Sequence, residues 1–297
     1  MLLNKKRKLE DVLLDGFIYI SLIILIVVTI YPFLNTLAVS FNDGLDSLKG
    51  GIYLWPRKFT TYNYQSLLTK TQTYRAAGVS VARTVTTTVL GTFLTAMLAY
   101  IISRKDFVLR KQISFLYVLT MYVSGGLIPT YILYQKLGLT NNFWVYVLPG
   151  LAHAFNLIII RTYIHGLPDS LIESAKMDGA GEFTIFMRII LPLCKPVLAT
   201  IAIFTAVWHW NDWWTTFLYN SSNPALSTLQ YELQKVLASA QTMSGSMEQA
   251  MASANQGGQQ ITPRAIRATM TIIVTVPIAI VYPFLQKYFV KGLTLGG

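Results

Sequence analysis

Residues 173–192, ESAKMDGAGEFTIFMRIILP, form a polar passage between two strongly apolar stretches, yet they carry the pattern of two short helices. Just upstream, Leu167-Pro168-Asp169 marks a helix start: Pro168 suits a first helical position, and Asp169 and Glu173 suit the positive end of the helix dipole. Ile172, Ala175 and Lys176 give one face. Asp178-Gly179-Ala180-Gly181 then ends the helix, because glycine permits a left-handed exit. A second amphipathic run, Phe183, Phe186, Met187 and Ile190, leads to Leu191-Pro192. The spacing predicts helix, glycine elbow, helix, a pattern that also fits an amphipathic loop lying on a membrane surface.

Around this segment the chain is apolar. Of 297 residues, 53% are hydrophobic and 12% charged, and the mean hydropathy is +0.48. A soluble domain is about 25% charged, so the composition is that of a membrane protein. The net charge of +11 sits in basic clusters beside apolar runs, which fits the positive-inside rule and gives no reason to expect nucleic acid as a partner. A lone cysteine, Cys194, excludes an internal disulfide and a cysteine metal cluster. His153 stands alone on an apolar stretch and is expected to be buried and satisfied, so no metal site is expected.

Six stretches suit a bilayer crossing of about 20 residues. Residues 1–16 carry Lys5, Lys6, Arg7 and Lys8 ahead of the uncharged run 17–41. That run exceeds a signal-peptide core of about 7–15 residues, so it reads as span one with a cytoplasmic N-terminus. Residues 42–78 are polar and aromatic and are expected outside. Span two, 79–103, is rich in Thr84, Thr86, Thr87, Thr88, Gly91, Ala96 and Ala99, which suits close helix packing. Arg104, Lys105, Arg110 and Lys111 then form a cytoplasmic loop. Span three, 113–133, is interrupted by Ser124-Gly125-Gly126 and Pro129. In lipid such a break needs protein or a water-filled cavity around it, which puts this span inside the bundle, lining a cavity; a simple packing kink is the other reading. Span four, 143–160, contains Pro149-Gly150 and Asn156.

Beyond the elbow loop, 167–192, span five covers 193–218 and ends in Trp208-His209-Trp210-Asn211-Asp212-Trp213-Trp214. At ~1.5 Å per residue Asp212 lies roughly 25 Å from Lys195, near the outer face. The aromatic run reads both as an interfacial belt and as a platform whose rings cover a sugar while Asn, Asp and His bond its hydroxyls. Residues 219–265 are an external loop, partly flexible and too polar to span, 268–285 are span six and 286–297 a cytoplasmic tail. The expected fold is an all-α integral membrane protein: one domain of six transmembrane helices, both termini cytoplasmic.

Glu173, Ala175, Asp178, Gly179, Ala180, Phe186, Ile189, Leu191 and Pro192 resemble the EAA loop of ABC importer permeases, with Ser174 where that family usually has alanine. Further matches are similar to the carbohydrate branch, the maltose-type small permeases. They are Phe59-Thr60 with Asn63-Tyr64, Phe155-Asn156, Arg161-Thr162-Tyr163, Lys195 to Thr200, Trp210-Asn211-Asp212-Trp213 and the tail Gln286 to Gly297. Gly126 to Tyr131 and Trp208 to Trp213 look most like permeases for larger oligosaccharides, including alginate-derived ones.

The resemblance implies a cytoplasmic coupling helix between spans four and five that docks on an ATP-hydrolysing subunit through Glu173, Ala175, Asp178, Gly179, Ala180, Phe186 and Pro192. It implies a bacterial cytoplasmic (inner) membrane, a second permease subunit, two ATP-binding subunits that hold ATP and Mg, an extracytoplasmic solute-binding protein and an oligosaccharide substrate. No cofactor is expected on this chain. Candidate substrate-pathway residues are Tyr122, Gly125, Gly126, Asn156, Trp208, Trp210, Asn211, Asp212 and Trp213.

No G-x-x-x-x-G-K-[ST] phosphate loop occurs, so ATP is handled by another subunit. Within the spans the main ionisable residues are Arg83, His209 and Asp212, whereas an ion-coupled carrier keeps such groups along its ion path. Neither H-E-x-x-H nor paired carboxylates argue for an enzyme. A permease for a non-sugar solute and an ion-coupled carrier are the alternatives.

Overall fold

The computed structural model describes residues 9–242 and 261–293. Among these residues all regular structure is helical, apart from one antiparallel bridge between Asn42 and Phe59. Two compact units form: residues 1–69 with 236–273, and 70–235 with 274–297.

The first unit is built on α1, Leu9–Ser40. Its apolar side chains are uncovered for most of its length, as suits a helix whose neighbour is lipid or another subunit. Past its end lie α2, Gly44–Leu48, and α3, Tyr62–Leu68. Two buried asparagines tie these together. Asn42 Nδ2 donates to Asp46 Oδ2 at 3.1 Å and Ser47 Oγ at 3.0 Å, and its Oδ1 accepts from the Lys58 amide at 2.8 Å. Asn63 Nδ2 donates to the carbonyls of Ser40 and Asn42, at 3.0 and 2.8 Å. Phe59 stacks on Phe41 at 5.5 Å, and Tyr64 lies 4.7 Å from it. The Phe59-Thr60, Asn63-Tyr64 motif therefore closes the end of α1, with its buried amides satisfied. The Asn42 donor and the Arg57 guanidinium hold the Asp46 carboxyl below the usual carboxylate range.

The second unit is organised on α4, Thr71–Ser103. It ends where the basic loop predicts but begins at Thr71, ahead of residue 79. Span four is not one helix. It is two 3-10 turns, Phe143–Tyr146 and Leu148–Gly150, then α7, Ala154–His165, across a 43° bend. Pro149 and Gly150 interrupt the ladder, and α4 answers the freed carbonyls. Thr87 Oγ1 donates to Tyr146 O at 3.2 Å and Thr95 Oγ1 to Leu151 O at 3.1 Å. A Cβ on Gly91 would lie 3.3 Å from Gly150 O, so glycine sets the close approach.

Span three is broken rather than kinked. α5, Arg110–Tyr122, and α6, Leu127–Lys136, meet at 120° around Gly126, whose φ is +84°. No residue of either half is buried within this chain, while Ile113, Tyr117 and Tyr134 are half-buried against its cores. At ~1.5 Å per residue the halves are about 20 and 15 Å long, each short of a ~30 Å bilayer core.

The elbow loop comprises α8, Ser170–Met177, α9, Glu182–Ile185, a π-helical segment, Phe186–Ile190, and α10, Leu191–Leu193. At 79° to this last run comes α11, Lys195–Asn211. Expected span five ends there: Asp212 is extended and α12, Trp214–Tyr219, is a separate helix.

The expected soft loop 219–265 starts as anchored structure in α13, Leu229–Thr242. The Leu229 amide donates to Ser80 Oγ at 2.9 Å, and Gln72 Nε2 donates to Glu232 Oε1 at 3.1 Å. The stretch Ala250 to Gln260 falls outside the described residues. The last helix, α14, Pro263–Leu293, carries span six and runs on into the expected tail; 294–297 are outside the described residues. Leu13–Ser40, Thr71–Ser103 and Pro263–Pro283 are each long and apolar enough to cross a membrane, and the three bent pairs bring the candidate spans to as many as six.

Candidate functional site

The elbow is a helix terminus of defined type. Gly179 has φ +79°; its amide donates to Lys176 O at 3.0 Å, and the Ala180 amide donates to Ala175 O at 2.9 Å. These two bonds cap the last carbonyls of α8 as a Schellman motif. At the other end of α8 the expected roles shift. Asp169, not Pro168, borders the first turn, and its carboxylate makes no cap bond. It pairs instead with Lys105 Nζ at 2.7 Å, which lowers the Asp169 pKa and raises that of Lys105.

Ile172, Ala175, Ile185, Phe186 and Ile190 are buried in the core with Leu157, Ile160 and Ile201. Lys176, placed on the same face from the spacing, is exposed. Of the face expected of the second run, Phe186 and Ile190 are buried and Ile185 joins them, whereas Phe183 and Met187 are exposed. Phe186, 2% exposed, lies 5.9 Å from the Phe93 ring and 5.6 Å from Tyr100. Glu173, Asp178, Gly179 and Pro192 are exposed, and Ala180 is half-buried against the core. Met177, 88% exposed, and Phe183, 65%, leave apolar surface uncovered on both sides of the elbow.

Polar links fasten the elbow to the end of α4. Tyr100 OH donates to Glu182 Oε2 at 2.5 Å. Lys176 Nζ bridges Glu182 Oε1 at 2.8 Å and Asp106 Oδ2 at 3.3 Å, and Glu182 first, then Asp106, raises its pKa. The Arg104 guanidinium lies 5.0 Å over the Tyr100 ring.

Toward the start of α4 lies a cavity of about 550 Å³, lined by Arg83, Tyr146, His153, Phe155, Asn156, Phe204, Trp208, His209 and Asp212 among others. Arg83, 1% exposed, donates through one terminal nitrogen to the Asp212 carbonyl at 2.6 Å and pairs through the other with Asp212 Oδ2. Its guanidinium sits 4.6 Å over the Tyr146 ring. Asp212 also accepts from the Thr215 amide at 3.1 Å and the Thr215 hydroxyl at 2.5 Å. The carboxylate thus opens α12 and neutralises Arg83, and its oxygens are occupied within the chain. A Cβ on Gly150 would lie 3.0 Å from the His209 ring, so glycine lets that ring pack close. His153 is exposed at the start of α7, not buried as expected; the break in span four leaves it on the cavity wall.

Most of the candidate substrate-pathway residues border one of several cavities. Trp208 lines this cavity and a neighbouring one of about 850 Å³ that Asn211 and Trp213 also border. Asn156 Nδ2 donates to Thr205 Oγ1 at 3.4 Å, and Asn211 Nδ2 to Val207 O of its own helix at 2.9 Å. Trp210 turns away: its Nε1 donates to Val274 O at 3.0 Å on α14. Gly126 borders a third cavity of about 380 Å³. Tyr122 is exposed, and no heavy atom lies within 4 Å of a Cβ built on Gly125. Phe155 was picked out from sequence only as part of a family match and Phe204 not at all; the four-residue spacing of Phe204 and Trp208 on α11 is the signal that places both on one wall. Among the described residues no group of three or more His, Cys, Asp or Glu could hold a metal ion.

An all-helical chain with broken apolar spans and an elbow loop ahead of one of them has the architecture of an ABC-transporter permease. The chain belongs to the family described as binding-protein-dependent transport system inner membrane component, which matches residues 91–295. It is 36% identical to the polygalacturonan/rhamnogalacturonan transport system permease protein YtcP of Bacillus subtilis (strain 168), over 98% of each chain. It is 37% identical to Protein LplC of the same organism, over 91% of this chain and 89% of that protein. Among solved structures it is similar to a chain of a bacterial ABC transporter involved in the import of the acidic polysaccharide alginate. There the TM-score is 0.85 at 25% identity, over 95% of this chain and 99% of the other.

Proposed function

We propose that this chain is one of two membrane subunits of an ATP-driven importer of oligosaccharides. The observation that carries the substrate class is the 550 Å³ cavity. It presents the exposed rings of Phe155, Phe204 and Trp208 beside the amide of Asn156 and the imidazoles of His153 and His209, while Arg83 and Asp212 neutralise each other. Flat rings cover the C–H face of a pyranose, and uncharged polar groups bond its hydroxyls. Kinship with permeases named for polygalacturonan, rhamnogalacturonan and alginate transport supports a saccharide.

In this reading the chain crosses the bacterial inner membrane six times with both termini in the cytoplasm. A second permease completes the pathway, an extracytoplasmic binding protein delivers the sugar, and two ATP-binding subunits hold ATP and Mg; this chain performs no chemistry of its own. The elbow loop docks on an ATPase. Glu173, Asp178 and Gly179, with the uncovered Met177 and Phe183, form the docking face. Ala175, Ala180 and Phe186 fasten that face to the core, and Pro192 precedes the turn into α11.

The test is purification of the chain from its own cells in mild detergent, followed by an ATPase assay with candidate oligosaccharides and their binding protein. Recovery of a second permease and an ATPase stimulated by one saccharide is expected. Recovery of the chain alone, with saccharide uptake that survives ATP depletion, overturns the reading.

A further inference from the structure

The region where the elbow loop meets α4 carries an inference about how motion passes through the chain. Tyr100 is 3% exposed, yet its hydroxyl reaches out of the core to Glu182 at 2.5 Å. Glu182 opens α9 on the far side of the glycine elbow, and its other oxygen binds Lys176 from the near side, at 2.8 Å. Lys176 in turn reaches Asp106, at 3.3 Å, in the turn that follows α4. The two arms of the elbow and the end of α4 therefore meet at one carboxylate. The Tyr100 ring packs against Phe186 at 5.6 Å and has the Arg104 guanidinium 5.0 Å from its centroid.

α4 is the element that connects this joint with the cavity. Tyr100 and Arg83 lie on the same unbroken helix, about 25 Å apart at ~1.5 Å per residue. Arg83 is locked to Asp212 at the junction of α11 and α12. Between these points α4 carries the carbonyls of the broken span four on Thr87 and Thr95. The helix is unbroken between Tyr100 and Arg83, so it offers a direct path by which a displacement of the elbow reaches the cavity wall.

We propose that Tyr100 is a positioning residue: its hydrogen bond to Glu182 joins the elbow loop to α4, and α4 carries the stroke of the elbow to the outer cavity. The proposal rests on the importer reading above, but it fails or holds separately from it. If the wild-type complex shows no ATP-driven uptake, the importer reading fails. If the wild type transports, the joint is tested by variants.

The experiment uses the assembled complex in proteoliposomes and reads saccharide taken up per ATP hydrolysed, with complex recovery monitored alongside. Tyr100→Phe keeps the ring beside Phe186 and Arg104 and removes only the hydroxyl. It is expected to lower uptake per ATP by about tenfold, the scale of one hydrogen bond to a charged group, with complex recovery at the wild-type level. Glu182→Gln keeps an acceptor for the phenol and is expected to retain most of the ratio, whereas Glu182→Ala loses it. The double variant Tyr100→Phe/Glu182→Ala is expected to be no worse than Glu182→Ala, since both break one link. A wild-type ratio in Tyr100→Phe overturns the proposal. So does a loss of uptake and ATPase in fixed proportion with poor recovery of complex, which assigns Tyr100 to stability alone, and so do losses that multiply in the double variant.

Discussion

Two points on α4 are secured by opposite means. Near its middle, Arg83 forms an ion pair with Asp212; the arginine is fully buried and roofed by Tyr146, and the aspartate is tied to Thr215. Near its end, Lys105, Lys176, Asp106, Asp169 and Glu182 make their links in contact with water. A buried pair is costly to break, because the surviving charge is stranded away from solvent. An exposed pair exchanges its partner for water at little cost. The cavity end is therefore built for fixed geometry, and the elbow end for contacts that can be remade when another protein docks.

The largest effect that can break this contrast lies at the cavity. Asp212→Ala strands Arg83 and is expected to cost about 3–5 kcal/mol, read as a fall in the melting temperature of the purified chain. Replacing both Arg83 and Asp212 by leucine should cost less than either single change. Equal or additive losses would show that the pair is not the fastener.

At the elbow, Gly179→Val forces a β-branched residue to φ +79°, a local strain of about 1–2 kcal/mol. Uptake is expected to be lost while the complex still assembles, and Gly179→Asn should keep part of it, since asparagine tolerates the left-handed region. Normal uptake in the valine variant would remove the elbow from the coupling path.

A finer division runs between two tryptophans. Trp208→Ala is expected to raise the half-saturating sugar concentration roughly three- to tenfold, the scale of an aromatic contact, with unchanged melting. Trp210→Phe loses the bond to Val274 and should lower stability by about 1 kcal/mol, leaving half-saturation as it was. The reverse result would exchange their roles.

The smallest effect concerns the knot after α1. The folded pKa of Asp46 is lowered, so its stabilising contribution is present above the ordinary carboxylate range and is lost as pH falls through the folded value. Hydrogen exchange over residues 42–64 should quicken on acidification, and Asp46→Asn should flatten that response.

How much of this was legible in the sequence follows the range of the interactions. Gly179 was readable because a Schellman end is decided within a few residues, and the break at Ser124-Gly125-Gly126 because glycine frees the backbone wherever it stands. The exposure of Phe183 and Met187 was not, since which apolar residues of a short run find a partner depends on helices elsewhere in the chain. The threonines of α4 read as small packing residues, while their hydroxyls on Tyr146 and Leu151 depend on a partner more than fifty positions away. Asp212 read as a candidate sugar ligand because the sequence does not show what occupies its oxygens: Thr215, three positions on, and Arg83, 129 positions earlier, do.

The sequence by itself determined the apolar spans, the glycine elbow and the membership of a transport family, because hydropathy, backbone freedom and local capping are properties of neighbouring residues. Only the tertiary structure decided which tryptophan faces a cavity, which carboxylate is already neutralised, and that one long helix runs from the elbow to the cavity wall. Each of those depends on which side chains from distant spans meet in a medium where an unpaired polar group cannot turn to water.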